Sequence, residues 1–181
     1  MPRLFSALVP PAVVFGHLSD FLAAHTADRD KALRWTPADN WHITFGFFGD
    51  DDDPVRRSKW LHRRADGRPA PRLRLAGAGT FPGVLWVGVH TDDVTVLARL
   101  AQAAGAGRRG YKPHLTVARW RSGEVDQAAL IRLFDGYTGP WFIPDELLLM
   151  RSDFAGAGNG GDLGRRGPTY TTVDRVALTR V

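Results

Sequence analysis

Residues 41–49 read Trp41-His42-Ile43-Thr44-Phe45-Gly46-Phe47-Phe48-Gly49, and the reading of this stretch decides the fold. It is dense in aromatic and β-branched residues, which favour a pleated, half-buried strand. In a strand, successive side chains point to opposite faces. Ile43 and Phe45 therefore share one face, and His42 and Thr44 share the other, roughly 6.6–6.8 Å apart along the chain. An imidazole and a hydroxyl side by side, backed by apolar residues, is the pattern of a site built on the surface of a sheet.

The pattern returns 72 positions later as His114-Leu115-Thr116-Val117, in a predicted strand running to Trp120. Leu115 and Val117 point into the core behind His114 and Thr116. Each strand follows a turn signal, Asn40 in one case and Pro113 in the other, and the spacing divides the chain into comparable halves, as a duplicated lobe would. Either histidine alone reads as a structural residue; the pair reads as function. If the two strands face each other across a groove, two imidazoles titrating near neutrality supply one general base and one general acid, which in-line displacement at phosphorus requires. The threonine hydroxyls, with nearby Arg or Lys, then hold the non-bridging phosphate oxygens and stabilise charge in the transition state. No metal or other cofactor is called for, because the chain has no His-Glu-x-x-His run and no acidic partner spaced to complete a ligand set.

Outward from these strands, short elements alternate. Leu4 to Val9 is a buried strand closed by Pro10-Pro11, and a helix follows with Val14, Leu18, Phe21 and Leu22 at helical spacing, fading around His25 to Asp28. Leu33 to Thr36 is a brief strand. The acidic run Asp50 to Asp53 with Pro54 is a helix start rather than a metal site, the helix running to about Ala65. Arg72 to Ala76 and Leu85 to Val89 are strands flanking a turn at Thr80 to Gly83, and Asp92 to Ala104 is a helix. Val125 to Phe134 is another, entered from Ser122-Gly123-Glu124. Phe142 to Met150 and Tyr170 to Leu178 are closing strands joined by a long glycine-rich hairpin loop, Ala155 to Gly167, which lacks the Gly-Lys-Ser/Thr ending of a phosphate loop; Arg165 and Arg166 within it are within reach of a ligand. The two-residue alternation favours antiparallel sheets with helices on one side, an α+β class.

Composition bounds the rest. The chain has 181 residues, 44% hydrophobic and 24% charged, with a net charge of +5 and no cysteine. That fits one domain, residues 1–181, and excludes a disulfide framework, a thiolate metal site and a cysteine nucleophile. Met1-Pro2-Arg3 and the apolar residues after it read as a first strand rather than a signal peptide, and no apolar run approaches the roughly 20 residues of a membrane span. The expectation is a cytoplasmic protein with no membrane association. Of 24 basic residues, 21 are Arg and only Lys31, Lys59 and Lys112 are Lys; the planar guanidinium suits phosphate oxygens, so RNA or a nucleotide is the expected partner. His17, His25, His62 and His90 read as surface or packing residues; Trp35, Trp41, Trp86 and Trp120, at strand positions, read as core packing ahead of base stacking, and Trp41 and Tyr111 beside the motifs are the places to look for a stacking contact.

On these residues the chain resembles the RNA 2′,3′-cyclic phosphodiesterases, historically called 2′-5′ RNA ligases, of the two-histidine (2H) phosphoesterase superfamily. The resemblance runs from Arg3-Leu4-Phe5 through Arg34-Trp35, Asn40 to Thr44, Gly77 to Phe81, Leu85 to Val89 and Pro113 to Arg119, to Gly167-Pro168-Thr169-Tyr170; Phe48 departs from the leucine usual before Gly49. It implies a bilobal α+β fold with pseudo-two-fold antiparallel sheets, helices on the outer faces and a central groove. It further implies His42 as proton donor, His114 as proton acceptor, and Thr44, Thr116 and Arg119 as phosphate-binding residues, without metal or cofactor. The implied substrate is RNA with a 2′,3′-cyclic phosphate end or a small cyclic nucleotide, opened to a 2′-phosphate by a monomeric enzyme, with 2′-5′ ligation as the reverse reaction. Which arginine of Arg108 and Arg109 faces the groove stays open. The alternatives are a non-catalytic RNA or nucleotide-binding module, and a related esterase acting on another cyclic phosphate or a 2′-5′ oligonucleotide.

Overall fold

A computed structural model describes residues 3–26, 33–49, 53–107, 110–121, 125–153 and 168–180. Along the chain run β1 (Arg3–Leu8), α1 (Ala12–His25), β2 (Arg34–Trp35), a 3₁₀ turn (Ala38–Asn40), β3 (Ile43–Gly49), α2 (Pro54–Ala65) and β4 (Arg68–Pro69). They are followed by β5 (Leu73–Phe81), β6 (Val84–Thr91), α3 (Val94–Ala103), β7 (His114–Arg119), α4 (Gln127–Arg132), β8 (Glu146–Asp153) and β9 (Thr169–Thr179). The strands form one mixed sheet in the order β4-β9-β8-β1-β3-β7-β6-β5, with β2 alongside β7. Every pairing is antiparallel except β4 with β9. Two arms of this sheet join where β3 meets β7, at the register pair Ile43↔Leu115.

Local chemistry accounts for the element ends. Asp53 caps α2 by accepting from Val55 N and Arg56 N at 2.8 and 3.3 Å, with Pro54 behind it in the first turn. His62, Arg63 and Arg64 sit in the last turn, against the negative end of the helix dipole. Asp93 caps α3 through Thr95 N and Val96 N. The β5–β6 hairpin is longer and its turn tighter than the sequence reading had it: Phe81 pairs with Val84, leaving only Pro82 and Gly83 to turn, with Gly83 at φ +74° where glycine has no Cβ to strain. The strand expected from Phe142 starts only at Glu146; Phe142 makes an isolated bridge to Leu73, and Pro144, lacking an N–H, keeps the ladder from extending between. Of the expected features, the remainder of the acidic run at 50–52, the helix entry at 122–124, Arg108 and Arg109, and the glycine-rich stretch with Arg165 and Arg166 lie outside the described residues.

Period-two alternation sorts the sheet into two faces. Leu4, Leu8, Ile43, Phe45, Leu115, Val117, Leu147 and Leu149 join one core, into which all four helices insert through Val14 and Leu18, Leu61, Leu97 and Leu100, and Leu130. The opposite face carries a small cluster of Phe5, Ala7, Leu148 and Met150, with Tyr170 packed against it. Ser6, fully buried on the helix side, donates its hydroxyl to Ala104 O and accepts from Gly46 N at 3.1 Å, binding β1, β3 and the end of α3 together. His62 and Ser58 both hydrogen-bond the Asp174 carboxylate, fastening α2 to β9. Among the described residues no helix is long and apolar enough to cross a membrane.

Candidate active site

Because Ile43 and Leu115 are opposed in antiparallel register, the two motifs run in opposite directions, so each histidine is aligned with the other strand's threonine. Ile43, Leu115 and Val117 are fully buried and Phe45 is nearly so. That turns His42, Thr44, His114 and Thr116 to the helix-free face, where all four line a groove of about 760 Å³. Arg119 lines it too, although simple alternation from His114 and Thr116 would put it on the core side. A β-bulge explains this. Leu85 pairs with Ala118 and the next residue, Trp86, with Thr116, so β7 carries one extra residue there. Val117 and Ala118 both turn inward, and Arg119 emerges on the side of the histidines.

The two imidazoles are held in the same way. His42 Nδ1 is 2.8 Å from Asn40 O and His114 Nδ1 is 2.7 Å from Lys112 O, each the carbonyl two residues upstream. A carbonyl oxygen only accepts, so Nδ1–H donates in both rings, and Nε2 is the nitrogen left for chemistry. Aromatic rings brace them. His42 lies 5.1 Å from the Phe5 ring and 4.8 Å from that of Tyr170, the latter edge-on. His114 lies 5.0 Å from Phe81, edge-on, and 6.0 Å from Trp86.

These surroundings overturn the expectation of near-neutral titration. Burial lowers the His42 pKa to about 4, the neighbouring Arg119 and His114 acting in the same direction against the favourable bond to Asn40. His114 is lowered as well, chiefly by burial, with Arg119 and Lys112 adding to it. Both rings are therefore neutral at pH 7 in the unliganded protein. Four cations, Arg3, Arg34, Lys112 and Arg119, line the groove, and no carboxylate does so among the described residues. Lys112 Nζ sits 4.3 Å over the Trp86 ring. The site is a positive trough containing two neutral bases.

All five residues singled out in the sequence meet in this groove. Trp41 does not: it is 4% exposed, its Nε1 donates to Thr36 O at 3.0 Å, and its ring packs edge-on against Phe15. It is a core residue because it shares the parity of Ile43 and Phe45. Tyr111 does line the groove, with its hydroxyl donating to Thr44 O at 2.9 Å and its pKa raised by burial. His17, His25, His62 and His90 lie elsewhere. Sequence reasoning missed Arg34, Lys112, Phe81 and Tyr170 as groove residues, although Arg34, Phe81 and Tyr170 lie in runs that carry the resemblance. A second depression of about 960 Å³ over α3, between Val94 and Tyr111, is lined by no histidine and no carboxylate among the described residues. Among the described residues no three His, Asp or Glu side chains converge as a metal-ligand group.

Comparison with known proteins points to one group. Residues 9–88 match the family model described as LigT like Phosphoesterase. An RNA 2′,3′-cyclic phosphodiesterase of Geobacillus stearothermophilus is 27% identical over 80% of this chain, and the chain spans only 47% of that relative's length. E. coli LigT complexed with phosphate superposes with a TM-score of 0.70 at 27% identity, covering 98% of each chain. E. coli LigT complexed with 3′-AMP gives a TM-score of 0.72 at 25% identity, covering 99% of this chain and all of the other.

Proposed function

Since the chain belongs to the LigT-like 2H phosphoesterases, we propose that it hydrolyses RNA 2′,3′-cyclic phosphodiester ends to a 2′-phosphate by metal-independent catalysis with two histidines. The observation that carries this reading is the matched tethering of His42 and His114, each held through Nδ1–H to the carbonyl two residues before it, so that both Nε2 atoms are left for one groove.

His114 Nε2, neutral in the free protein, takes a proton from the attacking water as its oxygen bonds to phosphorus. The P–O3′ bond breaks on the opposite side, and His42 Nε2–H gives its proton to the departing 3′ oxygen. His42 must therefore bind a proton first, which its low pKa opposes until an anion arrives. The phosphate supplies that charge, so substrate binding and arming of the acid are one event. Thr44 and Thr116 hydroxyls and the Arg119 guanidinium hold the non-bridging oxygens, where charge grows in the transition state. With a 5′ hydroxyl in place of water, the same steps join the cyclic end to a second strand through a 2′-5′ linkage: the O5′–P bond forms as P–O3′ breaks, the hydroxyl proton passing to His114 and the proton of His42 to the 3′ oxygen.

The test is hydrolysis of a short RNA ending in a 2′,3′-cyclic phosphate, in excess EDTA, with the position of the product phosphate read by chromatography. Release of a 2′-phosphate end supports the reading. A 3′-phosphate product, or loss of turnover on chelation, would overturn it.

A further inference from the structure

Arg34 and Arg119 are directly opposed, residue for residue, on the antiparallel neighbours β2 and β7, and both line the groove. Like charges placed opposite each other across two strands repel. Trp35, paired with Ala118, packs toward the core, so Arg34 takes the groove face that the bulge gives Arg119. No carboxylate among the described residues stands against either guanidinium. Two exposed, fork-shaped donors held together with no counter-charge among the described residues are a site awaiting an anion.

Their surroundings differ in a way that orders them. Arg119 acts electrostatically on both imidazoles and on the Tyr170 phenol, whereas Arg34 acts on Tyr170 alone. Arg119 thus belongs to the reacting centre, and Arg34 lies one strand spacing, about 4.8 Å, farther out along the same face. We infer that Arg34, with Arg119 beside it, forms a second phosphate subsite that seats the phosphate on the 5′ oxygen of the terminal ribose while Arg119 holds the cyclic one. This rests on the cyclic-phosphodiester reading given above. It narrows the substrate class to nucleotides and strands that carry a phosphate on both sides of the terminal ribose, and makes a bare cyclic nucleoside phosphate a poor substrate.

Three substrates separate the terms: adenosine 2′,3′-cyclic phosphate, the same compound with a 5′-phosphate, and the dinucleotide ApA ending in the cyclic phosphate. In wild-type protein the second and third are turned over with kcat/KM about tenfold to hundredfold above the first, the range of one charge-assisted contact. Arg34→Gln collapses that ratio toward one, and Arg34→Lys restores part of it. A gain with the 5′-monophosphate and none with the dinucleotide keeps the subsite and makes its ligand a free nucleotide rather than a strand. A ratio near one in wild type, or one that Arg34→Gln leaves intact, overturns the subsite. Calorimetric titration with adenosine 3′,5′-bisphosphate and adenosine 3′-monophosphate asks the same question without chemistry. A preference for the bisphosphate that Arg34→Gln removes sustains the subsite even if no cyclic phosphate is cleaved; no preference sinks it even if all are.

Discussion

Ile43 and Leu115 face each other across the junction of β3 and β7, both fully buried, and each is preceded by one of the two groove histidines. The junction is the hinge line of the site. Whatever fixes the two apolar side chains also fixes the direction in which His42 and His114 are presented. Packing under the sheet and chemistry on top of it are thus coupled through one residue pair.

Truncating that pair tests the coupling. Leu115→Ala leaves a cavity beneath the groove and is expected to cost about 2–5 kcal/mol of stability. It should also lower kcat by more than it raises KM, because the groove persists while its two imidazoles lose their mutual alignment. Denaturant unfolding and steady-state kinetics on the same preparation read both effects.

Removing either imidazole has a sharper signature on rate alone. His42→Ala and His114→Ala are each expected to reduce turnover by about 10²–10⁴-fold, with binding of a 2′-phosphorylated RNA product largely retained. A variant that keeps near wild-type rate removes that residue from the mechanism.

The depressed histidines set the pH behaviour. His42 titrates at about 4 and His114 below its usual value. With one needed protonated and the other neutral, kcat/KM for the free enzyme is expected to peak on the acid side of pH 6.5, the ordinary histidine value. The kcat profile lies at higher pH, since bound phosphate raises both groups. Arg119→Gln removes a charge that lowers both rings, so the kcat/KM profile should move upward in pH while its height falls about tenfold to hundredfold. A kcat/KM that climbs to a plateau above pH 8 would contradict the roles given to the pair.

The same shift acts on folding. His42 in the folded chain resists protonation down to about pH 4, whereas an unperturbed histidine takes up its proton near 6.5. Between these values the unfolded chain binds a proton that the folded one refuses, so stability present above pH 6.5 is lost as the pH falls toward 4. The loss from this one group is about 3 kcal/mol. His42→Asn should narrow the difference in Tm between pH 7 and pH 4.5, measured by calorimetry against wild type.

Gly46 offers a test of close approach. A Cβ there would stand 2.7 Å from the Gly105 backbone and 2.9 Å from Ala104 O, atoms that cannot swing aside. Gly46→Ala is expected to destabilise by about 1–3 kcal/mol through overpacking, and by more if the Ser6 bond to Gly46 N is lost. Thermal melts of Gly46→Ala and Ser6→Ala, alone and combined, would show the two sharing one strain.

How much of this was legible in the sequence depends on whether a rule was local. Two strands with His and Thr on one face and Ile43, Phe45, Leu115 and Val117 on the other follow from alternation alone, and the structure keeps that sorting. The same rule, applied one residue earlier, puts Trp41 in the core, where strand position already favoured it and where it lies. Arg119 was another matter. Its outward turn depends on the bulge at Val117–Ala118, a property of pairing with β6 that β7's own residues do not announce, so resemblance rather than pattern nominated it. The groove-facing position of Arg34 was illegible for a similar reason, since a two-residue strand has no periodicity and gains its place only from Arg119 opposite. Near-neutral pKa values were expected of histidines in general and failed because desolvation and Arg119 are facts of assembly.

The absence of acidic side chains among the described residues of the groove, beside Arg3, Arg34, Lys112 and Arg119, has a consequence in time as well as in binding. A trough of one sign between low-dielectric walls focuses its field outward and draws an approaching anionic strand end toward the reacting centre before any contact forms. Such steering reaches about one Debye length, roughly 8 Å in physiological salt and 3 Å at 1 M. The arrival rate of an RNA end should therefore fall steeply with ionic strength, while the chemical step, enclosed between Phe5, Tyr170 and Phe81, feels the added salt far less. At high salt the protein becomes limited by encounter rather than by proton transfer.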